Sequence, residues 1–257
     1  MNNAAAQRLR VKADWLASMN ADIIVMSEVN HNYLEHWNDA MASQGYSFFA
    51  DPDALSSSLG AAIATRFPAR QLTGLFNHGQ YAGAIVSAEI ASTQGAIDLH
   101  AVYARPDSGR HPTAWVKPAI LGSIPRGIAD RPLPQIIAGD FNAPQAETET
   151  GKWISFAHEF SKPRGLFYRP ARKLHMDLHD FKDAAESAMA YPRQDMRCAF
   201  RVAGSPNSPR TSWRHTSGSE KYRLDHIIAS EGVMPTKVWY TAYYPAGGDH
   251  RAMIAEW

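Results

Sequence analysis

Residues 135–142 read Gln135-Ile136-Ile137-Ala138-Gly139-Asp140-Phe141-Asn142. A short apolar run, rich in β-branched side chains, stops at a glycine and hands over to a carboxylate and an amide. The run predicts a buried strand, and the residues that follow place polar chemistry at its end. The same arrangement recurs along the chain. Ile23-Ile24-Val25-Met26-Ser27 runs into Glu28, Arg223-Leu224-Asp225-His226 opens Ile227-Ile228-Ala229, and Gly247-Gly248-Asp249-His250 opens a last run through Met253 and Ile254. Carboxylates beside buried strands are costly unless paired or bound to a metal. Several of them at strand ends gather on one rim of a sheet, where a site can be built.

Working outward, residues 4–19 predict a helix, because Ala5, Leu9, Ala13 and Leu16 form one stripe, with Asn3 as a plausible N-cap. Residues 22–27 predict a strand buried on both faces. Further strands are expected at 46–50, 61–65, 83–90, 97–103, 135–139, 224–229, 236–244 and 250–256, and helices near 31–43, 114–122, 146–160 and 181–190. Strands outnumber helices and interleave with them, which predicts sheets covered by helices rather than a bundle or a plain β-sandwich. No repeat or Gly/Ser linker divides the chain, so one domain over 1–257 is expected.

The 257 residues suffice for a full core, and 45% hydrophobic with 20% charged residues is ordinary for a globular protein. A formal net charge of +1 argues against a surface that traps nucleic acid everywhere, while leaving room for a local patch. Ser161 to Arg223 holds thirteen Lys/Arg against six Asp/Glu, which leaves the rest of the chain acidic. That stretch reads equally as a solvated loop-rich surface or as a phosphate-attracting face leading into Asp225. Trp213 and Arg214 within it are candidates to stack on or grip a substrate, and packing explains Trp213 equally well. The single cysteine, Cys198, excludes an intramolecular disulfide. With neither a signal-peptide pattern nor a membrane-length apolar run, the expected location is the cytoplasm.

Each cluster alone has a plain explanation. Glu28 alone is a strand-end charge meeting solvent. Gly-Asp-Phe-Asn and Gly-Gly-Asp-His are good turn chemistry, and Asp225 alone is an ion pair with an arginine such as Arg223. Carboxylates with one or two histidines and no Cys/His cluster favour a hard cation such as magnesium over zinc. His100 reads as a core or surface histidine. Arg105, Arg110 and His111 follow the strand at 97–103 in a polar loop, as phosphate contacts or as exposed side chains, and Ser56-Ser57-Ser58 reads as a loop.

The order of the clusters narrows these readings. Ser27-Glu28, then Tyr103-Ala104-Arg105-Pro106, then Gly139-Asp140-Phe141-Asn142, then Arg223-Leu224-Asp225, then Gly248-Asp249-His250 resembles the endonuclease/exonuclease/phosphatase superfamily, the deoxyribonuclease I-like fold. The likeness spans residues 22 to 257. It implies an α/β (α+β) four-layer sandwich, two packed β-sheets flanked by helices, with a site at one end. It also implies a hydrolase acting on phosphoester bonds, with nucleic acid as leading substrate and magnesium, or manganese, as cofactor. Glu28 would ligate the metal and Asp249 would sit beside it. Asp140 would position or deprotonate the attacking water, and Asn142 would hold the phosphate or that water. His250 would contact the phosphate as base or cation, with Asp225 fixing its tautomer, and Tyr103 would touch the phosphate. Arg105, Trp213 and Arg214 would bind substrate. The alternatives are a phosphatase of a small metabolite or lipid headgroup, and a non-catalytic binding module that keeps the fold.

The chain departs from the family pattern at its start. Family members open on an apolar strand that ends in an Asn beside the metal, whereas Met1-Asn2-Asn3-Ala4 enters the first helix at once. Either the true start lies upstream or the chain is a truncated or diverged member. The resemblance therefore implies a fold without its first strand, with lower stability and a weaker hold on the metal.

Overall fold

The computed structural model describes residues 3–54, 59–76, 82–106, 116–160, 168–170, 176–215, 220–243 and 248–257. It is mixed α/β and divides into two compact units, Met1–Tyr103 with Pro132–Gly139, and Ala104–Arg131 with Asp140–Trp257. In chain order the elements up to the end of the Gln135 run are α1 (Asn3–Ser18), β1 (Ile23–Asn30), α2 (Leu34–Ser43), β2 (Ser47–Phe49), β3 (Leu59–Thr65), β4 (Ala69–Leu72), β5 (Ile85–Ser92), β6 (Gly95–Tyr103), α3 (Val116–Ile128) and β7 (Gln135–Asp140). All but α3 and Asp140 belong to the first unit.

In the first unit β1, β3 and β2 form an antiparallel sheet in that order, and β7, β6, β5 and β4 lie in order in a second. β3 packs on β5 and β6, so two sheets stack. Strand alternation turns Ile24, Met26, Ala62 and Ala64 to the opposite face, where Leu9 and Ala13 of α1 and Trp37 and Met41 of α2 bury them. Leu9, Ala13 and Leu16 of the predicted stripe therefore lie on the helix's buried face, and Ala5 is outside the side chains described. α1 ends where Asn20 turns left-handed, at φ 51°. The N-capping role expected of Asn3 concerns a side chain outside those described. β1 is buried on one face and half-buried on the other, not on both as the apolar run predicts. Its only strand neighbour among the described residues is β3, and α1 precedes it.

The second unit continues with β8 (Ala146–Glu147), β9 (Trp153–Ile154), β10 (His158–Phe160), β11 (Tyr168–Pro170), α4 (Met176–Ala188), β12 (Met196–Cys198), α5 (Ala199–Ala203), β13 (Trp213–Arg214), β14 (Glu220–Tyr222), β15 (Asp225–Ser230), β16 (Lys237–Tyr243) and β17 (Arg251–Glu256). β8–β9, β10–β11, β12–β15, β13–β14 and β16–β17 pair antiparallel. Helix α3 packs on α4, and α5 on β15 and β16. Phe141, Trp153, Met196 and Ile228 are fully buried, each stabilising the fold by roughly 1.5–3 kcal/mol.

The helix expected over 146–160 is absent, and that segment is the β8–β9 hairpin followed by β10. Thr148 accepts from Lys152 N through its hydroxyl, Gly151 sits at φ 90°, and Gln145 N donates to Ile154 O. Threonine and glycine both disfavour a helix interior, and here they supply the turn. The helix expected from residue 31 begins as a single 3-10 turn, His31–Tyr33, capped by the Asn30 side chain on Asn32 N. No helix among the described residues is long and apolar enough to cross a membrane.

Candidate active site

The Gly139-Asp140-Phe141-Asn142 turn follows from its residue types. Gly139 sits at φ 137°, and a Cβ there would overlap the Val102 carbonyl oxygen, so only glycine lets the strand end this way. Asn142 is left-handed at φ 46°, which asparagine tolerates better than most residues. Its backbone N–H donates to Asp140 Oδ1 at 2.8 Å and its side-chain amide to Asp140 Oδ2 at 2.9 Å. The buried Asp140 carboxylate is thus oriented through both oxygens by one neighbour. Phe141 points the other way, edge-on to Trp153 and His226, and its N–H donates to Leu224 O.

Asp225 is fixed as firmly. The Ser212 hydroxyl accepts from Leu224 N at 2.8 Å and Asp225 N at 3.0 Å, and Tyr240 Oη donates to Asp225 O at 2.6 Å. The carboxylate then accepts from His250 Nδ1 at 2.8 Å. Burial would push the His250 imidazole down, but the hydrogen bond and charge of Asp225, with the charges of Asp140 and Asp249, outweigh it and raise the pKa to about 9. His250 is therefore a cation at neutral pH, and its Nε2–H is not the one taken by Asp225. His250 forms an isolated antiparallel bridge with Trp213, locked by Arg214 N to Asp249 O and Arg251 N to Ser212 O.

One ligand atom each of Asp140, Asp225 and His250 lie within 4.8 Å of one another. Charge chemistry argues against a metal cage there: His250 Nδ1 is spent on Asp225, and a protonated imidazole offers no lone pair. The cluster is better suited to moving and stabilising protons. Glu28 suits a hard cation better. It is exposed, sits at φ 59° in the bulge between Met26 and Val29 of β1, and its Oε1 accepts from Tyr103 Oη at 3.3 Å. The bulge re-aims this side chain out of the strand's alternation, and the donor set is all oxygen.

The Endonuclease/Exonuclease/phosphatase family model matches residues 5–250. The chain belongs to that family. Solved structures of similar fold include an AP endonuclease from Archaeoglobus fulgidus (TM-score 0.69, 16% identity, covering 96% of this chain and 93% of that one). A 3′ phosphatase, NExo, from Neisseria bound to a product DNA hairpin is similar too (TM-score 0.66, 16% identity, 97% and 94% covered). So is humanized D. rerio TDP2 (TM-score 0.61, 14% identity, 99% and 93% covered). Curated protein sequences give no significant match.

The other candidate residues of this endonuclease/exonuclease/phosphatase chain make contacts of their own. Asp249 is exposed, and its Oδ2 accepts from Trp213 Nε1 at 3.3 Å. Trp213 lies over Tyr222 with rings 5.8 Å apart and 12° from parallel, so one of its faces is already stacked. Arg214 donates to Gly248 O and lies over the Tyr243 ring, where Arg251 covers the ring as well. Arg105 is half-buried just past β6, while Arg110 and His111 lie outside the described residues, as does the serine run at 56–58. Arg223 pairs with Glu147, not with Asp225. Several arginines of the basic stretch are similarly spent: Arg193 on Asp195, Arg197 on Glu231 and Arg201 on Glu147. His100 is a core histidine between Ser87 Oγ and Gln135 Oε1, each at 2.8 Å.

Sequence reading passes over the residues behind the motifs. Lys117 is buried, donates to Asn142 O at 2.9 Å and pairs with Glu186 at 2.7 Å. His226 is buried beneath the turn, and burial, with the Arg223 charge adding to it, pushes its pKa down to about 3. A lone lysine inside the apolar run Val116–Ile124 was the available signal for the first. Nothing local signals the second.

Proposed function

We propose that this chain hydrolyses phosphodiester bonds of nucleic acid by in-line attack of a water aligned on Asp140. The observation that carries the reading is the approach of Asp140 to an Asp225–His250 pair whose imidazole is charged at neutral pH. A cationic His250 already carries its proton, so it serves as donor to the phosphate and leaves the base role to Asp140. Asn142, which orients Asp140, presents its amide to the phosphate or the water. Asp225 holds Nδ1–H and so keeps Nε2–H directed outward.

Glu28, with Tyr103 as its orienting hydroxyl, is a carboxylate for a magnesium or manganese ion, and Asp249 is a further candidate carboxylate for such a cation. When bound, the cation supplies Lewis-acid stabilisation of phosphate charge. Trp213 and Arg105 contact substrate in this reading, with Arg214 supporting the Gly248 turn. Family membership over residues 5–250 supports phosphoester chemistry, and two proteins of similar fold are an AP endonuclease and a 3′ phosphatase bound to a product DNA hairpin.

The test is cleavage of a DNA and RNA oligonucleotide panel with magnesium or with EDTA, beside p-nitrophenyl phosphate esters. Cleavage of nucleic acid is expected to need the metal, to weaken steeply with salt, and to fall at least about a thousandfold in Asp140→Asn. Salt-insensitive turnover of the small esters alone would replace the nuclease by a small-molecule phosphatase. Equal activity in Asp140→Asn would remove the assignment.

A further inference from the structure

Two consecutive carbonyls follow the Asp140–Asn142 pair, and each is held by a buried side chain. Asn142 O accepts from Lys117 Nζ at 2.9 Å, and Lys117 is fixed in turn by Glu186 Oε1 at 2.7 Å and lies 4.8 Å above the Phe156 ring. Ala143 O accepts from His226 Nε2 at 2.9 Å, and the same nitrogen reaches Arg223 O at 2.9 Å. Both partners are carbonyls, so Nε2 must carry the hydrogen. Nδ1 has no hydrogen-bond partner among the described residues and, in the neutral Nε2–H tautomer, carries a lone pair and no proton. The ring is packed against Trp153 at 4.6 Å and edge-on to Phe141 at 5.5 Å, so it has no freedom to swing.

The consequence concerns backbone direction. A left-handed residue is held only where its surroundings over-determine it. Asn142 is left-handed, and its N–H and side chain both face Asp140, so its carbonyl has to find a partner on the far side of the turn. Lys117 provides one, and His226 fixes the next. His226 adds a link that Lys117 lacks: Ala143 belongs to the Asp140 turn, while Arg223 precedes Asp225.

We infer that Lys117 and His226 are positioning residues that lock the Asp140–Asn142 turn from behind, and that His226 also holds this turn in register with Asp225. The kinetic part of this inference rests on the function proposed above, whereas the structural part does not.

The test therefore has two readouts. His226→Phe keeps the ring and removes the donor, and His226→Gln keeps a donor. Lys117→Met combined with Glu186→Gln removes the buried pair without stranding a charge and covers the case in which His226→Phe fails to fold. Hydrogen exchange at the Asn142 amide is expected to quicken at least about tenfold in His226→Phe and in the Lys117/Glu186 variant, while amides of β5 and β6 keep their protection. kcat on an oligonucleotide is expected to drop about 10- to 100-fold with KM within about threefold, and His226→Gln to recover most of it. Unchanged Asn142 exchange in both variants, or a glutamine no better than phenylalanine, overturns the positioning roles and leaves the nuclease reading intact. Absence of turnover in the parent protein would remove that reading and leave the exchange result to decide this one.

Discussion

Asp225, at the start of β15, is held by the Ser212 hydroxyl, the Tyr240 hydroxyl and the His250 ring, with every contact at 3.0 Å or shorter. Glu28, in the β1 bulge, is exposed and, among the described residues, meets one tyrosine hydroxyl, at 3.3 Å. Both are carboxylates beside buried strands, yet one is fastened and the other left open. Under the function proposed above, the difference follows from what each carboxylate would do. Keeping a proton on the correct imidazole nitrogen depends on orientation to a few tenths of an ångström. Holding a hydrated cation depends on access and free oxygen lone pairs, and too many fixed partners would compete with the ion.

Substitutions should separate the two corners. The largest effect is expected from Asp225→Asn, which keeps shape and loses charge: kcat should fall about a thousandfold or more, and added magnesium should not restore it. Restoration by metal would break the contrast by making Asp225 a ligand. Glu28→Gln should raise the magnesium concentration for half-maximal activity at least about tenfold, with near-normal kcat at saturation. Tyr103→Phe removes one long hydrogen bond to Glu28, and a shift of about three- to tenfold in the same titration is expected.

The smallest effect is thermodynamic and belongs to the fastened corner alone. The His250 pKa is raised from 6.5 to about 9, so charged His250 binds its proton more tightly in the folded than in the unfolded chain. Its stabilising contribution is complete below about pH 6.5 and is lost as pH rises through about 9. Urea midpoints measured from pH 6 to 10 should therefore decline for the parent protein and stay flatter for His250→Gln. Parallel declines would place the titration elsewhere.

The motif residues were legible because each lies at the end of an apolar run, and strand alternation needs no tertiary information. The strands at β3, β5, β6, β7, β15, β16 and β17 were readable for the same reason. What escaped was fixed by distant partners. The 146–154 hairpin carries Trp153 and Ile154 into the core, while its loop is held by Arg201 on the carbonyls of Thr148 and Glu149, some fifty residues away. Lys117 reads as an ordinary helical lysine until Glu186 of α4 is set against it, and Ser212 reads as a loop serine until two backbone N–H groups converge on it. The Arg223–Asp225 pairing failed because spacing by two does not decide direction: Arg223 turns to Glu147 and Asp225 to His250.

The bulge at Glu28 carries a consequence for any library made at that position. A non-glycine residue at φ 59° holds roughly 1–3 kcal/mol of backbone strain, and glycine would relieve it. Sorting a saturation library for thermal survival should therefore enrich Glu28→Gly, and sorting the same library for metal-dependent turnover should deplete it. The glutamate at this position is a resident that a search for robustness alone would evict.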